Sequence, residues 1–427
     1  MRRILGKSYF NSEFFKNSFI LSIGTVVAQV IPLLFYPLLG RLYTPEDFGL
    51  LATLTSITVI IAVLSSLKYD ACILITETKQ DGANVIGLIL TISFFLLFII
   101  FVVLELFSNQ ISVWFNSPNL SKLLFVCPLT AYAIIIFNNY NEWCVRNKYF
   151  SSLSWNKIGN SGASTLSKVF FGIIKVSSNG LIIGDLLGRT VIAVRSIYDA
   201  LRKDSEVFLN ITFIRMVQLS IRYKEFPKYT LSGALLNNLG GQLPVLLIGL
   251  YANSTELGYF AMTMSVLAAP VSLIGFAVKD TFRQRANEDY IRKGECRNIF
   301  INTSRVISIL TLIGFVPLVF ILPFLFRVFL GEQWIIAGEY SQILSPMIAL
   351  SFITNTVSGV LIIVEKMRLY FLFQIYYFTI SAASLIIGFS AFNSMKMTLV
   401  CYAVGMSSVY LLEMYLSYKY SDSKQIK

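Results

Sequence analysis

Long apolar runs broken by short polar bursts set the pattern of this chain, and the length of the runs decides its class. Ser18–Leu39, Val85–Leu106 and Val306–Phe326 each reach the roughly 20 residues that an α-helix needs to cross the hydrocarbon of a bilayer. The same pattern predicts twelve spanning helices, at roughly 18–40, 50–67, 84–106, 120–141, 153–175, 177–195, 228–250, 257–278, 305–328, 341–363, 369–392 and 396–417. The reading is therefore an all-α polytopic membrane protein of two six-helix bundles. The longest polar interval sets the division: 1–200 for the first bundle, 201–227 for a cytoplasmic linker and 228–427 for the second bundle. Within the linker, Ile211–Ile221 is mildly apolar and carries Arg215, with Arg222 following. It reads equally as a short interfacial helix or as a turn resting on the membrane surface.

The charges orient the chain. With the N-terminus placed in the cytoplasm, 27 of the 35 basic residues fall on that side and only Arg41, Lys122, Lys175, Arg327 and Lys396 on the other. Such an asymmetry places both termini in the cytoplasm. It also explains the net charge of +12 without a nucleic-acid partner. No cleavable signal is expected, because the apolar run after the basic N-terminus continues to Leu39 without a small-residue cleavage pattern.

Composition removes several chemistries. The chain has no histidine, so imidazole metal sites and histidine general bases are excluded. Cys72, Cys127, Cys144, Cys296 and Cys401 include no CxxC pair and read as small hydrophobic residues rather than as a disulfide or metal framework. No nucleotide-binding glycine motif is present, no cofactor is expected, and the outer loops are too short to house an enzyme's catalytic domain.

Three groups of polar residues break the apolar pattern and are candidates for function. In the sixth span, Gly184-Asp185-Leu-Leu-Gly188-Arg189 puts Asp185 and Arg189 on one helix face, with two glycines suited to close helix packing. The pair reads either as an internal salt bridge at that contact or as a substrate or ion-coupling site. In the fifth span, Lys157 and Lys168 lie eleven residues apart, which places them on nearly one face at a separation of about 16 Å. Neither has an acid near it in sequence. They suit an anionic ligand such as a phosphate, or snorkel towards the interface. Arg41, at the outer end of the first span, reads as a cation at a cavity mouth or as a helix-end anchor. The third group is neutral: Gln29 with Pro32 in the first span, and Asn237, Asn238 and Gln242 with Pro244 in the seventh. Each proline can break its helix and free carbonyls, so these positions read as a gate or as interhelical hydrogen bonds.

The halves share a faint repeat. Gln29-Val-Ile-Pro32, Glu46-Asp-Phe-Gly49 and Lys68-Tyr-Asp70 are echoed by Gln242-Leu-Pro244, Glu256-Leu-Gly258 and Lys279-Asp280. Six spans return the chain to the same side, so two copies enter alike. That predicts a pseudo-twofold along the membrane normal and a cavity between the bundles.

Pro37-Leu-Leu-Gly-Arg41-Leu-Tyr-Thr-Pro-Glu46-Asp-Phe-Gly49, followed by Lys68-Tyr-Asp70, resembles the opening of Wzx-type polysaccharide flippases. These form the oligosaccharidyl-lipid branch of the multidrug/oligosaccharidyl-lipid/polysaccharide exporter superfamily. Gly184–Arg189 and Pro227–Gly258 are also similar to that family. The resemblance implies a MATE-like fold in a bacterial inner membrane. It also implies an undecaprenyl-pyrophosphate-linked glycan substrate, moved from the cytoplasmic to the periplasmic leaflet by alternating access. Membrane lipids, the glycan polymerase and the chain-length machinery are the implied partners. Lys168, Lys157, Arg189 and Arg41 then suit contact with the pyrophosphate, and Asp185 and Asp70 suit ion coupling. A drug antiporter of the same superfamily would favour an acidic cavity, against the excess of intramembrane cations here. A membrane glycan polymerase or glycosyltransferase would need a large outer loop, which this chain lacks.

Overall fold

The computed structural model describes residues 12–175 and 179–422. The charges Arg2, Arg3, Lys7, Lys424 and Lys427, used above for orientation, lie outside the described residues, as does the start of the sixth predicted span. Among the described residues, twelve helices are long enough to cross a bilayer. They are α1 (Ser12–Leu42), α2 (Pro45–Ser66), α3 (Lys79–Leu106), α4 (Val126–Arg146), α5 (Phe150–Ile173), α6 (Gly180–Leu209), α7 (Leu231–Tyr251), α8 (Ser254–Lys293), α9 (Arg297–Leu325), α10 (Ile335–Thr356), α11 (Met367–Ala391) and α12 (Met395–Tyr420). Each overlaps a predicted span. Eight are also apolar enough to span by composition alone. The four that are not, α4, α5, α6 and α8, carry more polar residues, and two of them hold the candidate site.

The chain divides into two compact units. The N-terminal unit comprises Met1–Leu42, Leu54–Val113 and Pro118–Leu239, and the C-terminal unit Tyr43–Thr53, Trp114–Ser117 and Gly240–Lys427. These boundaries differ from the expected ones in two ways. Residues 201–227 are not a separate linker. Helix α6 runs on to Leu209, and a further helix, Phe213–Arg222, is bolted to the start of α3. The boundary itself falls inside α7, between Leu239 and Gly240, twelve residues beyond the expected start of the second half.

The bolt is polar on one side and apolar on the other. Arg215 donates to both oxygens of Asp81, at 2.6 and 3.0 Å. Arg222 pairs with Glu77 at 2.5 Å, and the Thr212 N–H donates to Asn84 Oδ1 at 2.9 Å. Met216 and Leu219 are buried beneath, while Phe213, Ile214 and Ile221 face outward. The amphipathic pattern is that of an interfacial helix. Nearby, Arg146 at the end of α4 donates to the carbonyls of Ile73, Thr76 and Thr78 at 2.8–2.9 Å, fixing the loop between α2 and α3. In that loop Cys72 is fully buried, and burial pushes its thiol up to about 12. All five cysteines are free.

In the C-terminal unit the starts of α2 and α8 cross at contact distance, and local chemistry sets both starts. Thr44 Oγ1 accepts from the Asp47 N–H at 3.3 Å while Asp47 Oδ2 accepts from the Thr44 N–H at 2.9 Å. This is a reciprocal cap with Pro45 in the first helical position. Asn253 caps α8 by accepting from the Glu256 N–H at 2.8 Å. One turn in, each helix has a glycine. A Cβ on Gly49 would overlap the Ser254 carbonyl and stand 3.0 Å from the Gly258 nitrogen; one on Gly258 would overlap the Pro45 carbonyl and stand 3.0 Å from the Gly49 nitrogen.

Candidate functional site

The polar residues of the first, fifth and sixth spans come together in the N-terminal unit, where α5 packs against both α1 and α6. Small residues allow the approach. A Cβ on Gly184 would lie 2.7 Å from the Lys168 backbone, and one on Gly188 would strike the backbone of Ser164. The two helices thus touch backbone to backbone. Towards α1, Ser154 Oγ donates to the Ile20 carbonyl at 3.0 Å and Ser161 Oγ to that of Ala28.

Asp185 is the centre of this contact. Its carboxylate receives Lys168 Nζ at 2.8 Å, Arg189 Nε at 2.7 Å and Ser164 Oγ at 2.8 Å. The expected Asp185–Arg189 salt bridge is present. The reading of Lys168 as a cation without an acid needs correction, because the acid comes from the next helix, which sequence proximity cannot reveal. The cluster still holds two cations on one carboxylate. Lys157 differs: it donates to Thr25 Oγ1 at 3.2 Å, and no carboxylate pairs with it among the described residues. It is a half-buried ammonium held by a hydroxyl.

The other expected positions do not join this cluster. Arg41 is exposed in the last turn of α1. Asp70 lies in the short helix Tyr69–Leu74 between α2 and α3, paired with Lys68 at 2.7 Å, and so is not an acid within a span. Gln29 is partly buried on α1. That helix continues through Pro32 and Pro37, and α7 continues through Pro244, so the expected helix breaks are not made. Asn237 is exposed, and Asn238 donates along its own helix to the Ala234 carbonyl at 2.8 Å. Gln242 lies two turns before the end of α7, on the far side of the unit boundary from both asparagines. Gly241, beside the boundary, has open space around it.

One intramembrane acid escaped the sequence reading. Glu413 on α12 is half-buried within reach of Tyr377, Tyr410 and the Lys279 charge. A lone glutamate between Leu412 and Met414 was the available signal.

Twelve long helices among the described residues, with charge concentrated inside a few of them, define a multi-span integral membrane protein. The chain belongs to the polysaccharide biosynthesis protein family, whose profile matches residues 38–338. It is also 22% identical over 358 residues to an uncharacterized membrane protein in the cps region of Klebsiella pneumoniae, covering 82% of this chain and 70% of that one. Among solved structures, its fold is similar to the lipid II flippase MurJ in an inward closed conformation. There the TM-score is 0.75 and the identity 12%, covering 94% of this chain and 87% of the other. It is likewise similar to an inward-facing MATE multidrug resistance transporter of the MOP superfamily, with TM-score 0.63, 12% identity and 95% of both chains covered. The family match and the fold bear out the resemblance carried by the Arg41–Gly49 stretch.

Proposed function

We propose that this protein flips an undecaprenyl-pyrophosphate-linked oligosaccharide from the cytoplasmic to the periplasmic leaflet of a bacterial inner membrane. It does so by alternating access, with both termini cytoplasmic and without altering the substrate chemically. The observation that carries the reading is the surplus of cations within the N-terminal helices. Among the described residues Lys157 pairs with no acid, and Lys168 and Arg189 together outweigh Asp185. An ammonium kept at membrane depth is costly unless something anionic offsets it, and a pyrophosphate does so by charge-assisted hydrogen bonds. Lys157 makes the main contact, the Lys168–Asp185–Arg189 group adds a net positive charge, and Arg41 meets the anion at the outer end. Membership of a polysaccharide biosynthesis family and the cps-region relative support a glycan as cargo. An ion or proton gradient supplies the energy. Glu413 is the better-placed coupling acid, because Asp70 lies outside the spans and Asp185 is bound by two cations.

The test is flipping in proteoliposomes of a fluorescent saccharide on polyprenyl pyrophosphate. Lys157→Met should lower the initial rate about tenfold, the scale of one lost charge-assisted hydrogen bond, and Lys157→Arg should keep most of it. A Lys157→Met protein that flips at the wild-type rate removes the pyrophosphate contact. Uptake of a lipophilic cation in place of the glycan substrate would replace the reading with drug antiport, which the MATE-like fold also accommodates.

A further inference from the structure

A pocket of about 100 Å³ lies in the N-terminal unit, away from the Asp185 cluster. It is walled by Leu90 of α3, Ile136 and Asn139 of α4, Ile197 and Leu201 of α6, and Ile211. The wall is almost wholly apolar. Ile197 and Leu201, 41% and 42% exposed, stand at its lipid-facing rim. Its polar members are Ser196, whose hydroxyl bonds Asn156 and the Ile192 carbonyl, and the buried Asn139 and Tyr140; among the described residues Asn139 Nδ2, on a residue 2% exposed, and the Tyr140 hydroxyl have no hydrogen-bond partner.

A buried amide without an acceptor is strongly unfavourable. Water answers it only at the corner of Asn139 and Tyr140, because an ordered water needs two to four polar partners and the rest of the wall is almost wholly carbon. The missing acceptor therefore belongs to a molecule that also covers the apolar wall. Depth narrows the choice. Asn139 precedes Arg146 by seven residues on α4, about 10 Å along the helix, and Arg146 is fixed to the loop at the membrane surface. That depth is close to the boundary between headgroups and hydrocarbon, where the acyl ester carbonyls of phospholipids lie. The amphipathic helix Phe213–Arg222 lies beside the same pocket, Met216 and Ile211 both approaching Gly87. The exposed Arg202 follows Leu201, a cation for the lipid phosphate.

We infer that this pocket holds the upper part of one phospholipid acyl chain from the leaflet on the Arg146 side, its ester carbonyl accepting from Asn139 Nδ2. The occupant is a resident bilayer lipid rather than the transported one, so the site goes beyond the flippase reading and does not depend on it.

The experiment reconstitutes the full chain in phosphatidylethanolamine/phosphatidylglycerol vesicles. These carry a trace of phosphatidylethanolamine with a diazirine in the upper third of one acyl chain, and labelled peptides are mapped after illumination. Peptides covering 136–140 and 196–211 should label about fivefold more than the exposed face of α9 around Leu312 and Ile313. Leu201→Trp at the rim and Ala200→Trp in the wall should each abolish that excess; the rim variant carries the test if the wall variant does not fold. A diether analogue, which lacks the carbonyl, should label several-fold less than the diester, and Asn139→Leu should erase the difference. Even labelling of all lipid-facing helices overturns the site. Equal labelling by ester and ether probes overturns the role of Asn139. Displacement of the label by an equal mole fraction of polyprenyl phosphate overturns the phospholipid in favour of the substrate's own tail. None of these outcomes touches the flipping assay, so the two proposals fail separately.

Discussion

Asp185 shows what a single buried carboxylate does for three neighbours. Lys168 and Arg189 both neutralise against it, and Ser164 fills a remaining lone pair. Removing the carboxylate leaves two cations facing each other in an apolar contact, the costly way to break a buried pair. Asp185→Asn should therefore destabilise the protein by about 3 kcal/mol, read as a lowered melting temperature in detergent, and adding Lys168→Met should recover part of the loss. A double variant no better than the single one would show that the pairing contributes little. The cluster is partly legible in the chain. Asp185 and Arg189 share a helix, and their spacing announces the bond. Lys168 reaches the same carboxylate across a helix contact, which no local spacing encodes. Asn139 was illegible for another reason: one neutral amide in an apolar run looks ordinary until its partners are counted. Cys72 is expected to resist thiol reagents at neutral pH, because its raised pKa leaves almost no thiolate. Rapid alkylation of the folded protein at pH 7 would contradict that burial.

At the scale of elements, the positions of the helices followed from hydropathy, because lipid demands apolar length whatever the tertiary contacts. Their ends did not follow. Helices α6 and α8 continue well past the predicted spans, into stretches whose charges read as loop. The polar stretch after α6 packs as part of the N-terminal unit, because Asp81 and Glu77 wait for Arg215 and Arg222 across more than a hundred residues. The glycines of α6 were legible as a packing motif, and the α5 backbone occupies the space they leave. Gly188→Leu should separate α5 from α6 and lower both stability and flipping, whereas Leu187→Ala, at an exposed position beside it, should change neither. Equal behaviour of the two variants would remove the packing argument. The cap at Thr44 and Asp47 is worth about 1 kcal/mol, so Asp47→Ala should give a correspondingly small drop in melting temperature.

For the whole molecule, the expected even number of crossings returns the chain to the side on which it began, and the positive-inside bias predicts which side that is. Single cysteines at the exposed Asn119 and Lys224, in a background where the native thiols stay buried or are replaced, should label from opposite faces of sealed cells. Asn119 should label from outside and Lys224 only after permeabilisation. The reverse pattern would invert the topology and the proposed direction of transport with it. The boundary between the two compact units falls inside a continuous helix, and the sequence does not announce it, because a helix that belongs to both units has no polar interval to mark the change. The Leu239/Gly240 boundary, beside a glycine with open space around it, is the place where α7 can bend at least cost.

The crossing of Gly49 and Gly258 ties two distant stretches of sequence to one distance. Each glycine lies under the other helix's first turn, and each is the echo of the other in the repeat. Such reciprocity has the form of an isologous contact, in which one residue meets a second as the second meets the first. Neither position can change alone, because a methyl group on either glycine strikes the backbone of the other helix.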